Sequence, residues 1–238
     1  MKRSLLFFAT LGFTALIHAS EPQVIVSPVD HLFVPRGFDN NDNLEVVVTG
    51  KFPNPCYIKN KVEVEVLGNK VLINVTALKR DNNRAAICEP MTVPFKEDIT
   101  VGNLQGGNYE VIVNEKTEYE QREKLFVSTS TSNSVDDHLY PIVEYVELGF
   151  TGGMNGSAFL VAKSPSNCVV FDRVEYTTNN KDTISILPIM KKVSQHCNEN
   201  KKRITIPIKF NLRSLANKDV LLFVRSIEGK SVNSIINK

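Results

Sequence analysis

The chain has 238 residues, is 42% hydrophobic and 23% charged, and carries a formal charge of +2. That composition excludes a disordered or collagen-like chain and leaves room for one or two globular domains. It lacks the strongly basic field that nucleic-acid binding draws on, and frequent Val, Ile, Thr and Asn without alanine-rich runs point to β structure.

Residues 1–19 read as a cleaved signal peptide. Lys2 and Arg3 open it, residues 5–17 form an apolar run too short to span a bilayer, and cleavage is expected after Ala19. No other run reaches the roughly 18 apolar residues of a membrane helix, so no transmembrane segment is expected in the mature chain. The expected location is periplasmic or secreted. All four cysteines, Cys56, Cys88, Cys168 and Cys197, lie in the exported part. An even count in an oxidising compartment argues for disulfides. Sequential pairing, Cys56 with Cys88 and Cys168 with Cys197, keeps each bridge inside one predicted domain and closes loops of similar length.

Short strands are predicted at 23–26 and 30–35, then a polar turn at 37–43. Residues 44–50 form a strand whose nearly continuous apolar positions suit cover on both sides. Phe52-Pro53-Asn54-Pro55-Cys56-Tyr57 is a rigid turn, because both prolines fix φ. Residues 62–66 alternate apolar and acidic, Gly68-Asn69 signals a hairpin, and 71–78 return. Further strands are predicted at 91–95, 98–101, 109–113 and 124–127. This spacing describes a sandwich, and no helical segment separates the strands as parallel α/β architecture requires.

Residues 128–138 are rich in Ser and Thr and read as a flexible linker. Beyond it the order strand, proline turn, cysteine, hairpin, cysteine, strand recurs, with Cys168 and Cys197 in the places of Cys56 and Cys88. The expected organisation is therefore all-β: a first β-sandwich domain at 20–127, the linker at 128–138 and a second at 139–238, each with one disulfide, an internal duplication. Charge divides with it. Residues 20–136 carry a net of −5 and residues 137–238 a net of +5, a division open to three readings: the halves face each other, the basic half faces an acidic surface, or both are simply solvated surfaces.

Residues 104–113, Leu104-Gln105-Gly106-Gly107-Asn108-Tyr109-Glu110-Val111-Ile112-Val113, resemble the L-x-x-G-x-Y-x-V-x-V run of immunoglobulin-like and fibronectin-III-like domains, here of the bacterial secreted kind. The resemblance implies an Ig-like β-sandwich in which Tyr109 is a corner tyrosine whose hydroxyl bonds nearby backbone. The cysteines do not stand in immunoglobulin positions and Trp is absent, which excludes an antibody-type domain.

Catalytic patterns are missing. His31, His138 and His196 are scattered, no nucleophile or phosphate-loop motif occurs, and residues 39–43 fail the EF-hand pattern at its sixth and twelfth positions. No cofactor, metal or enzymatic activity is expected. The reading is a non-enzymatic exported module, binding or structural, that acts through loops or sheet edges on a protein partner or an anionic component of the envelope. Its candidate binding residues are the 52–57 turn (Phe52, Pro53, Asn54, Pro55, Tyr57) and the basic residues flanking Cys197 (Lys191, Lys192, Lys201, Lys202, Arg203). The alternative is a secreted inhibitor presenting the rigid 52–57 loop to an enzyme, since preorganisation lowers the entropy lost on binding.

Overall fold

A computed structural model describes residues 22–80, 88–152, 155–198 and 201–237. The expected signal peptide lies outside them, as do residues 81–87. Among the described residues the secondary structure is all strand, and no helix is long and apolar enough to cross a membrane.

The first half holds β1 (Gln23–Val26), β2 (Val29–Phe33), β3 (Leu44–Phe52), β4 (Tyr57–Leu67), β5 (Lys70–Lys79), β6 (Val93–Gly102), β7 (Gly107–Val113) and β8 (Gln121–Val127). One sheet runs β2-β3-β6. The other runs β4-β5-β7-β8, with β1 beside the far end of β5. Alternation explains the packing: Val71, Ile73, Val75 and Ala77 of β5 point inward and are buried, and Val111 and Val113 of β7 meet them in register. The two short strands expected at 91–95 and 98–101 are one strand, β6. Among the described residues it pairs only with β3, and such an edge position tolerates the absence of an N–H at Pro94.

The second half repeats the plan with β9 (Ile142–Gly152), β10 (Asn155–Lys163), β11 (Val169–Thr178), β12 (Thr183–Lys192), β13 (Arg203–Asn211), β14 (Asp219–Arg225) and β15 (Ser231–Asn237). Its sheets run β9-β10-β13 and β11-β12-β14-β15. Each antiparallel β2-β3-β6 pairing has its counterpart in β9-β10-β13. The parallel β5–β7 pair recurs as β12–β14, and the Leu139–Met190 bridge stands where β1 meets β5. The two disulfides, Cys56–Cys88 and Cys168–Cys197, join the sequential pairs, with Cα–Cα distances of 5.5 and 5.2 Å. In the constant-type immunoglobulin plan the fourth strand joins the first sheet. In both halves here it lies in the second, between the third strand and the sixth.

β15 has no counterpart among the strands expected from sequence. Its residues, Ser231-Val232-Asn233-Ser234-Ile235-Ile236-Asn237, are half polar, and its turn is Glu228-Gly229 rather than Asn-Gly. Both turn residues have positive φ (62° and 66°), the geometry that matches the twist of a two-residue hairpin.

The halves form a stack of four sheets. Val46 and Val48 of β3 point into the first sandwich, while Val47, between them on the opposite face, is equally inaccessible. The outer face of β2-β3-β6 is covered by the outer face of β12-β14-β15. Val220, Leu222 and Val224 belong to the core of the second half, whereas Leu221 and Phe223, between them, belong to that of the first. Phe223 meets Phe38 edge-on, with ring centroids 5.5 Å apart. Residues 128–138 are not a free tether. Ser128 donates from N and Oγ to the Phe38 carbonyl, Ser130 N donates to Asn40 Oδ1, and Asp136 accepts the Glu228 and Gly229 amides.

Candidate functional site

The two halves meet through charge as well as through apolar side chains. Arg225, at the end of β14, is 7% exposed. Its guanidinium pairs with Asp42 of the 38–43 turn, lies 3.7 Å from Asp136, donates to the Val135 carbonyl and sits over the Tyr140 ring. Burial pushes the Asp42 carboxyl up and Arg225 pulls it back, leaving it above its ordinary value. Burial raises the Tyr140 phenol to about 12 despite the same cation. Lys181 pairs with Glu123 across the same boundary. Acidic residues of the first half thus meet basic residues of the second, as the −5/+5 division anticipates.

One contact runs the other way. Asp182 is 1% exposed and accepts from His31 Nε2 at 2.8 Å, Asn179 Nδ2 at 2.8 Å, Thr183 Oγ1 at 3.0 Å and Asn217 Nδ2 at 3.1 Å. Burial works to raise this carboxyl, but the hydrogen bonds from His31, Asn179 and Thr183 outweigh it and hold it below its ordinary value. A carboxylate with a depressed folded-state pKa stabilises the fold above its unfolded pKa and loses that contribution as pH falls through the folded value. Asp182→Asn is therefore expected to destabilise the protein most above about pH 4. The gap between its urea midpoint and that of the parent should narrow as pH falls below that point, and a pH-independent gap would refute the assignment.

Several of the sheet edges expected to dock a partner are interrupted, though the edge strands β8 and β15 are regular. The exposed edge strands β4 and β11 carry bulges, between Lys59 and Val62 and between Phe171 and Arg173, and β6 and β13 carry Pro94 and Pro207. Bulges and prolines are devices that block strand addition. The 52–57 turn is likewise less available than its prolines suggest. Phe52 is 3% exposed, stacked at 4.5 Å on Phe95 and 6.2 Å from Tyr57, and Cys56 is buried. Asn54 Oδ1 accepts the Cys56 amide and closes the turn, so Pro53 and Pro55 are its exposed residues. Tyr109 Oη donates to the Gln105 carbonyl at 2.9 Å, the bond its corner position implies.

The basic residues around Cys197 do come together. Lys163 and Arg203 are cross-strand partners, and Val169 and Val170, just after Cys168, pair with Lys192 and Lys191. The Ser164 amide donates to the Lys202 carbonyl, Val193 N to the Cys168 carbonyl and Asn198 N to Asn167 Oδ1. One end of the second sandwich, closed by its disulfide, therefore carries Lys163, Lys191, Lys192, Lys201, Lys202 and Arg203. Glu144 accepts from Lys163 at 2.5 Å and lies 3.7 Å from Arg203, and Asp172 accepts from Lys191 at 2.9 Å. Lys192, Lys201 and Lys202 are exposed and make no ion pair among the described residues. Sequence reasoning missed Lys163, which precedes the first cysteine of the pair rather than the second.

The structure disperses the histidines: His31 bonds Asp182, His138 lies edge-on to Tyr140, and His196 is exposed beside Cys197. Among the described residues no group of three or more His, Cys, Asp or Glu is placed to hold a metal ion.

No curated protein and no solved structure matches the chain. Residues 46–122, from Val46 in β3 to Arg122 in β8, match the family model described as the ORF11 beta-sandwich domain, so the stretch spanning most of the first half is similar to that domain and the fold is a β-sandwich.

Proposed function

We propose that this chain is an exported, non-enzymatic binding module that engages an anionic component of the envelope through the disulfide-closed basic end of its second half. The observation that carries the reading is the gathering of six cations from β10, β12, β13 and the loop before β13 at one end, three of them without a counter-charge among the described residues. The disulfide and the 164–169 hydrogen bonds hold the backbone there, so ordering it costs little on binding. Acidic residues concentrate in the other half, which leaves this end electropositive. Two disulfides accord with an oxidising compartment.

The test uses the mature chain and vesicles of zwitterionic lipid with or without an anionic lipid, with a soluble polyanion as a second arm. Binding to the anionic probes is expected, weakening steeply between about 50 and 500 mM salt as screening sets in. Exchange of Lys192, Lys201 and Lys202 for Glu should lower affinity at least tenfold while the thermal midpoint stays put. Salt-insensitive binding, or a triple variant that binds like the parent, would sink the proposal.

A further inference from the structure

A cleft runs between the two halves, at the end of β11 opposite the basic residues around Cys197. Its floor is the outer face of β7 and β8, where Asn108 stands across from Phe126 and Glu110 across from Lys124. Its walls are the 34–38 segment after β2, Thr177 of β11 and Lys181 just beyond that strand. It holds two hollows, of about 700 and 370 Å³, that share Arg36, Glu110 and Lys124. Ligand sites favour such junctions between domains and fall in this range of volume.

The 34–38 sequence builds its wall. Val34, Pro35 and Phe38 are buried and anchor the segment, and the Arg36 amide donates to Ser185 Oγ of β12 at 3.3 Å. Gly37, at a φ of 96°, turns the chain so that Arg36 is exposed beside a buried Phe38. The Lys181–Glu123 pair ties β8 to the second half at the smaller hollow. Walls fixed in this way lower the entropy lost when a ligand enters.

The first half is acidic overall, yet in the cleft the sign reverses. Arg36, Arg122, Lys124 and Lys181 line the smaller hollow against Glu110 and Glu123, an excess of two cations. Arg122 is engaged by Glu110, Glu115 and Glu120, and Lys181 by Glu123. Arg36 and Lys124 are exposed and make no ion pair among the described residues. They are the uncompensated charges, and they line both hollows, where they suit a shared anion. Arg36 adds the planar fork that matches a carboxylate.

The larger hollow describes the rest of the ligand. Phe126, 57% exposed, offers it an aromatic face. The side chains of Asn69, Asn108 and Thr177 are exposed there and have no hydrogen-bond partner among the described residues. A bare inorganic anion leaves this hollow unused. A hydrocarbon chain covers Phe126 but strips water from the amides and gives them no partner. A sugar ring lays its C–H face on the aromatic and turns hydroxyls toward amides that both donate and accept. We infer that the cleft binds an acidic saccharide, with a carboxylate at Arg36 and Lys124 and a sugar face on Phe126. The site is separate from the basic end and does not depend on it.

Isothermal titration calorimetry of the full mature chain with trigalacturonate tests this. Two controls separate the parts of the ligand: maltotriose has the rings without the charge, and triglutamate has the charge without the rings. Trigalacturonate is expected to bind at least tenfold more tightly than either. Arg36→Ala and Phe126→Ala should each weaken it at least tenfold; both side chains are exposed, so the fold should be unchanged, which circular dichroism checks. Exchange of Lys192, Lys201 and Lys202 for Glu should leave this affinity as it is. No binding of trigalacturonate, equal binding of either control, a cleft variant that binds like the parent, or loss of binding in the triple variant would each overturn the inference.

Discussion

Replacing Arg225 with alanine is expected to destabilise the protein by about 3–5 kcal/mol, the cost of removing one partner of a buried pair. The guanidinium is the sole cation among the groups it touches: Asp42, Asp136, the Val135 carbonyl and the Tyr140 ring. Without it Asp42 has only the Asp39 amide to offset its burial. The penalty thus comes from a stranded carboxylate more than from a lost attraction. That account makes a second claim. Arg225→Met combined with Asp42→Leu removes both charges and should recover much of the loss, because apolar replacements for a buried pair are often neutral or stabilising. Equilibrium urea unfolding of the two variants checks it. A double variant no more stable than Arg225→Ala would mean that shape, not charge, holds this corner.

The second large effect is expected at Phe223. Truncation to alanine should cost about 3–5 kcal/mol, as for other buried aromatic side chains. Its particular consequence is for cooperativity. Phe223 and Leu221 are the buried side chains of the second half that enter the first core, with Ile235 packed against it, so they join two sandwiches that each have their own core and disulfide. The parent should unfold in one transition, and Phe223→Ala should split it in two, visible by calorimetry. Leu222→Ala is the control: one residue away and equally buried, it packs only in the second core. It should destabilise without separating the transitions. One transition for Phe223→Ala would show that Leu221, Ile235 and the polar contacts suffice to couple the halves.

Much of the architecture is written in local pattern. The alternation of residues 62–66 and 71–78, the turn at Gly68-Asn69 and the spacing of the four cysteines lead to the hairpins and bridges that the structure contains. The continuous apolar runs at 46–48 and 220–224 hold more than strand identity. A strand open on one face alternates, so loss of alternation in two places signals burial on both sides, and these two strands face each other across the boundary between the halves. What stayed hidden depends on distance in sequence. His31 stands next to Asp30, yet its partner is Asp182, 151 residues away. The covering of Phe52 depends on Phe95, and no local pattern reports that stacking. β15 escaped notice because Ser and Asn occupy its boundary positions: Ser231 and Asn233 bond Glu45 of β3, a role that requires polar side chains where a free strand would place apolar ones. The basic end was legible as composition, while its inclusion of Lys163 needed the β10–β13 register.

The double burial of β14 bears on the order in which the molecule can be made. Val47 and Phe33 leave the ribosome well before Leu221 and Phe223, the side chains that cover them. A chain that emerges from its N-terminus therefore carries a wet apolar sheet face until β14 follows, even after the first sandwich has closed its own interior. Such a face is what holding chaperones grip and what aggregation starts from. The first sandwich completes its burial only when β14 of the second is in place, which makes β14 a checkpoint for β2 and β3.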